Sequence, residues 1–175
     1  TIFSSSFTSD YEMIKLEHDG VYVLLIEGRR NVTEPANYVF KLQPVTIVEE
    51  PIETGEYVEG AIDVPGDQDT YVFDLREQAF IHLDSFTDDW NISWTLYDPL
   101  GDAVASRAFA GSDSFDWPAP VLDLAPGRYT IVVDTSGDYL GSYAFRLLDL
   151  RSAQGFDPGK PVEGRLEPGN ETVLY

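Results

Sequence analysis

The sequence contains no cysteine. That removes disulfides, thiolate metal centres and cysteine nucleophiles together. Histidine is nearly as scarce: His18 and His82 stand alone in unrelated segments. Basic residues are few, 11 Lys and Arg against 31 Asp and Glu, for a net charge of −20. A surface of that sign repels phosphate backbones and anionic headgroups, so nucleic acid is not an expected partner. No apolar run approaches the ~18 residues of a membrane-spanning helix, so membrane insertion is not expected either. Gly-x-Ser-x-Gly, His-Glu-x-x-His and P-loop signatures are missing, as are EF-hand loops. The expectation is a protein that is not an enzyme.

What is present is apolar and aromatic. The 175 residues are 43% hydrophobic, with 10 Tyr, 10 Phe and 3 Trp, enough to bury a sizeable core. Long helical periods are absent. Short β-rich runs take their place at 21–26, 37–42, 57–63, 70–75, 79–84, 91–97, 103–108, 121–124, 129–134 and 143–148. Several alternate with a period of two, as Tyr71, Phe73 and Leu75 do against Val72 and Asp74, which predicts one buried and one wet face. Turn chemistry separates them, including Pro65-Gly66-Asp67, Asp98-Pro99-Leu100-Gly101 and Ala125-Pro126-Gly127. About eight such strands in roughly a hundred residues predict an all-β, jelly-roll-like antiparallel β-sandwich.

The chain also repeats itself. Val58-Glu59-Gly60 recurs as Val162-Glu163-Gly164, an offset of 104. Pro65-Gly66 recurs as Pro168-Gly169, an offset of 103, and Gly20-Val21-Tyr22 matches Gly127-Arg128-Tyr129 at 107. Tyr38-Val39-Phe40-Lys41-Leu42 recurs as Tyr143-Ala144-Phe145-Arg146-Leu147, an offset of 105. The drift falls in turns, where insertions are tolerated. The reading is one complete β-sandwich module at 48–152 with flanking partial modules: 1–47 as the second half of a repeat, and 153–175 as the start of another. The chain begins at Thr1 without a leader, so either a signal peptide has been removed or this is an internal fragment, and the repeat favours the fragment. Neither partial copy contains equivalents of residues 74–102, and an incomplete sandwich leaves open edges. Either 153–175 completes 1–47 or a neighbouring chain by strand complementation, or the ends are simply cut. Head-to-tail joining of such copies gives an open filament.

Three segments resemble a known family. Gly60-Ala-Ile-Asp-Val-Pro-Gly-Asp-Gln-Asp-Thr-Tyr-Val-Phe-Asp74 resembles the Gly-Asp-x-Asp turn and aromatic strand of the pre-peptidase C-terminal (PPC) domains of secreted bacterial proteins. Leu124-Ala-Pro-Gly-Arg-Tyr-Thr-Ile-Val-Val-Asp134 is similar to its Pro-Gly-x-Tyr strand, and Gly141-Ser-Tyr-Ala-Phe-Arg-Leu147 to its closing strand. The resemblance covers residues 52–150 and extends to the tandem repeats of large bacterial surface proteins. It implies a jelly-roll sandwich, extracellular or cell-surface location and an accessory role. Some relatives bind calcium, and some bind collagen or sugars.

Two sets of residues are site candidates. Asp63, Asp67 and Asp69 gather around one tight turn, where carboxylates and carbonyls can converge on calcium. The competing reading is that Asp and Gly are ordinary turn formers. Trp90 and Trp117, near loops and beside acids, can stack on a sugar ring, whereas Trp94 alternates within a strand and belongs to the core. The remaining acid clusters, at Asp84, Asp88 and Asp89, at Asp113 and Asp116, and at Asp134 and Asp138, read as solvated loops. His82 alternates with Ile81 and Leu83 and reads as a half-exposed sheet residue. The leading functional expectation is a structural spacer or assembly module of an extracellular fibre, stabilised by calcium, with neighbouring modules or copies as partners. The alternatives are a carbohydrate- or matrix-binding module and an accessory domain of a protease.

Overall fold

The computed structural model describes residues 4–6, 14, 16, 18–42, 47–112 and 119–175. The chain divides into two compact units, Thr1–Val45 and Thr46–Tyr175.

The second unit holds nine strands: β1 Glu49–Pro51, β2 Tyr57–Ile62, β3 Asp69–Leu75, β4 Ala79–Ser85, β5 Ile92–Tyr97, β6 Ala103–Ala108, β7 Val121–Leu124, β8 Gly127–Thr135 and β9 Gly141–Asp149. They form a five-stranded sheet, β1-β3-β8-β5-β6, and a four-stranded sheet, β2-β9-β4-β7. All pairings are antiparallel except β1 with β3. The architecture is the expected all-β sandwich.

Alternation decides what lies between the sheets. Tyr71 and Phe73 on β3, Ile131 and Val133 on β8, and Trp94 on β5 are buried from one side. Ile81 and Leu83 on β4 and Tyr143, Phe145 and Leu147 on β9 meet them from the other. One continuous core results. Aromatic rings knit it: Tyr71 meets Phe145 edge-on at 5.4 Å, and Phe73 stacks on Tyr129 at 5.5 Å. Such pairs add roughly 0.5–1.5 kcal/mol each beyond their area burial.

Turn chemistry sets the register. At Val64-Pro65-Gly66-Asp67 the Asp67 N–H donates to the Val64 carbonyl, and Gly66 sits at φ 80°. Proline at the second position and a left-handed glycine at the third are what a type II turn requires.

Two parts of the chain depart from the strand pattern. Among the described residues of Thr1–Val45 there is no strand, although 21–26 and 37–42 carry strand sequences. A strand needs partners with a shared apolar face, and none is paired with these runs. Residues 153–175 also form no strand. After a short 3-10 turn, Leu150–Ser152, they run as an irregular tail, closed by a hydrogen bond from the Gln154 N–H to the Leu174 carbonyl at 2.9 Å.

Candidate functional site

The acidic turn was the first candidate. Asp67 N–H closes the turn itself. Asp69 begins β3, and its carboxylate accepts a hydrogen bond from the Tyr143 hydroxyl at 2.5 Å. Tyr143 in turn shares a hydrogen bond with Tyr71 at 2.7 Å. Burial, then the Asp69 hydrogen bond, pushes the Tyr143 hydroxyl far above its ordinary pKa, so it stays a neutral donor. A Cβ at Gly60 would lie 2.3 Å from the Tyr143 hydroxyl and 2.8 Å from that of Tyr71, so glycine makes the room for this pair. Asp69 is therefore used in tying β3 to β9. Among the described residues no three Asp, Glu or His side chains come close enough to hold a metal ion.

The aromatic candidate is half described. Trp90 is 69% exposed. Its ring lies against Gly111, where an added Cβ would come within 3.0 Å of it. Nearby, Asp89 accepts from the Tyr139 hydroxyl at 2.6 Å and from the Asn91 N–H at 2.8 Å, and the Tyr139 bond, followed by the Asn91 one, holds its carboxyl below the usual range. Trp117, Asp113 and Asp116 lie outside the described residues. Trp94 is core, as expected: it is buried, donates from Nε1 to Ser112 Oγ at 2.7 Å, and carries Arg107 over its ring at 5.6 Å.

A groove of about 1040 Å³ runs past Ile52, Thr54, Arg76, Arg128 and Arg151. Three arginines in a chain this acidic suggest an anion site. Acids answer two of them: Arg128 pairs with Glu49 at 2.9 Å, and Arg151 with Glu77 and Asp149 at 2.5 Å each. These exposed pairs balance one another and leave no concentrated positive field.

A third arrangement was not foreseen in the sequence. In the sequence Asp84 reads as a solvated acid and His82 as a half-exposed sheet residue. Both lie on β4, alternate with the core residues Ile81 and Leu83, and so point to the outer face of the four-stranded sheet. Yet His82 is 5% and Asp84 0% exposed. That outer face is covered there, which is why the alternation misleads. Arg146, beside Asp84 in the β4–β9 pairing, donates from Nη2 to Asp84 Oδ2 at 2.7 Å. Both side chains then engage the tail. The Thr172 N–H donates to Asp84 at 3.1 and 3.2 Å, and Arg146 Nη2 donates to the Thr172 carbonyl at 3.1 Å. Glu171 lies 3.9 Å from Arg146. The Arg146 guanidinium sits over Phe86 at 5.5 Å, and its Nε is buried without an acceptor among the described residues. The one sequence signal was that the repeat keeps a cation here, Lys41 in the place of Arg146.

No protein-family model matches the chain, and no curated protein does. Solved structures of similar fold exist. The pre-peptidase C-terminal domain of collagenase from Bacillus anthracis matches at 15% identity and a TM-score of 0.48, over 58% of this chain and 96% of that one. PliG from Salmonella Typhimurium, a periplasmic inhibitor of g-type lysozyme, matches at 19% identity and a TM-score of 0.44, over 58% of this chain and 97% of that one. Aeromonas hydrophila PliG matches at 14% identity and a TM-score of 0.42, over 59% and 99%. The PPC domain that the motifs resemble is thus among the solved structures to which the chain is similar.

Proposed function

We propose that this chain is a non-enzymatic spacer and assembly piece of an extracellular bacterial surface or fibre protein, with copies of its own module as partners. One observation carries the reading. The sandwich closes at β9, and the chain then runs on into a segment that repeats the sandwich's own opening and packs back against the module it has just left. The exposed strand sequences at 21–26 and 37–42 support the same reading, as material that another half-module pairs with.

Calcium enters this proposal through charge rather than through a built centre. With 31 acids against 11 bases, divalent cations relieve self-repulsion wherever two carboxylates approach. The test is thermal melting with millimolar calcium and with chelator. Calcium raises the midpoint if this part holds, and an unchanged midpoint removes it.

A second reading, a carbohydrate- or matrix-binding module, is favoured by one feature: Trp90 is both exposed and backed by Gly111. Titration with glycans separates the two. Saturable quenching of tryptophan fluorescence that Trp90→Ala abolishes favours the binding module; sedimentation showing concentration-dependent association without any glycan response favours the assembly piece.

A further inference from the structure

We propose that Asp84 and Arg146 form a main-chain clamp that holds an unpaired β3-type segment of the adjoining module, here residues 171–175. The clamp reads backbone. Its two hydrogen-bonding directions take the N–H and the C=O of one residue, Thr172, and the threonine hydroxyl has no part in it. Any extended residue with an N–H fits, and proline alone is refused.

The occupant follows from the repeat. Pro168-Gly169 corresponds to Pro65-Gly66, and with one residue fewer in the turn Thr172 falls on Thr70. Thr70 lies inside β3, between Glu49 of β1 and Val132 of β8. The same repeat position therefore has two homes. In a complete module its main chain is taken up by neighbouring strands. At 171–175, which carry no strand here, a carboxylate and a guanidinium on the sandwich take their place. The two cannot be occupied together, because each uses the same N–H and C=O. A bare strand edge is a template for aggregation, and a module joined in series needs its opening strand held until its partners arrive.

The site is built for this. Asp84 is fully buried, and a buried carboxylate left with one partner is costly, so Arg146 and the Thr172 N–H are both needed. Phe86 fixes the guanidinium plane. The buried Arg146 Nε has no acceptor among the described residues, so the tail does not exhaust the donors the pair can offer.

The proposal rests on the array reading only for naming the occupant. The test uses the full chain and follows the Gln154 amide, which is tied to Leu174 but touches neither Asp84 nor Arg146. Thr172→Pro removes the clamped N–H, and Thr172→Ala keeps it. The proline variant should raise hydrogen exchange at Gln154 by about tenfold, the scale of a lost hydrogen bond to a charged group, with the alanine variant within about twofold of wild type. Melting with Trp94 fluorescence confirms that the sandwich stays folded in both variants. A synthetic peptide of residues 167–175 should then bind the Thr172→Pro chain saturably, and the same peptide carrying proline at 172 should not. Equal exchange in the two variants, or equal binding of the two peptides, overturns the clamp. Failure of the array reading looks different: a saturable glycan response with the clamp intact.

Discussion

Residues 38–42 and 143–147 are nearly the same five residues, Tyr-Val-Phe-Lys-Leu and Tyr-Ala-Phe-Arg-Leu. In both, the tyrosine and phenylalanine rings lie 6.4 Å apart and close to parallel. Their fates differ. Tyr143 and Phe145 are 3% and 0% exposed at the centre of β9, while Tyr38 and Phe40 are 59% and 48% exposed and belong to no strand. Local pattern sets the spacing of the rings, and partners decide burial. β9 has β2 on one side and β4 on the other, with β3 and β8 across the core. Among the described residues, 38–42 pair with no strand.

The comparison breaks most sharply by deletion. Phe145→Ala should cost about 3–5 kcal/mol, the range for emptying a phenylalanine site in a packed core. Phe40→Ala should change stability by less than about 0.5 kcal/mol, as an exposed substitution does. Urea denaturation followed by tryptophan fluorescence reads both, and equal effects would erase the distinction. Next in size is Gly60→Ala, where the new methyl collides with the Tyr143 and Tyr71 hydroxyls and should cost about 1–3 kcal/mol.

Alkaline pH sharpens the same contrast. Burial, ahead of all other causes, raises the pKa of Tyr143, Tyr71 and Tyr129 in the fold. The unfolded chain therefore releases these protons first as pH rises. Their contribution is complete below the unfolded value, about 10, and is lost as pH climbs above it. Melting midpoints should fall above that pH, and fall less in Tyr143→Phe. The smallest effect belongs to the surface: Arg128→Gln, which breaks the exposed pair with Glu49, should cost under about 1 kcal/mol in the same melts.

Much of the sandwich was legible in the sequence because period-two alternation and turn residues are local. Strands 103–108 and 121–124 were read to their ends, and Trp94 was placed in the core. β1 was missed: Glu49-Glu50-Pro51 has the composition of a loop, and only its main chain joins the sheet. The turn at 63–69 holds an acid with a long-range partner. Asp69 has a hydrogen-bonding duty to Tyr143, a residue 74 positions away. Asp84 reads as solvated in the sequence and is fully buried in the clamp. Neither long-range contact leaves a mark in local composition. The repeat left one, the cation shared by positions 41 and 146, and that was the only route to the clamp from sequence.

The central claim is that the two half-matching regions are pieces of one module type, one of them paired and the other short of partners. Hydrogen exchange at the amides of residues 38–42 tests it directly, compared between the chain as it stands and a fusion carrying a second copy of residues 48–102 ahead of Thr1. The account predicts fast exchange in the former and strand-like protection in the latter, approaching that of residues 143–147. Exchange that stays fast in the fusion would contradict it, and the matches near an offset of 105 would then be resemblance without a shared fold.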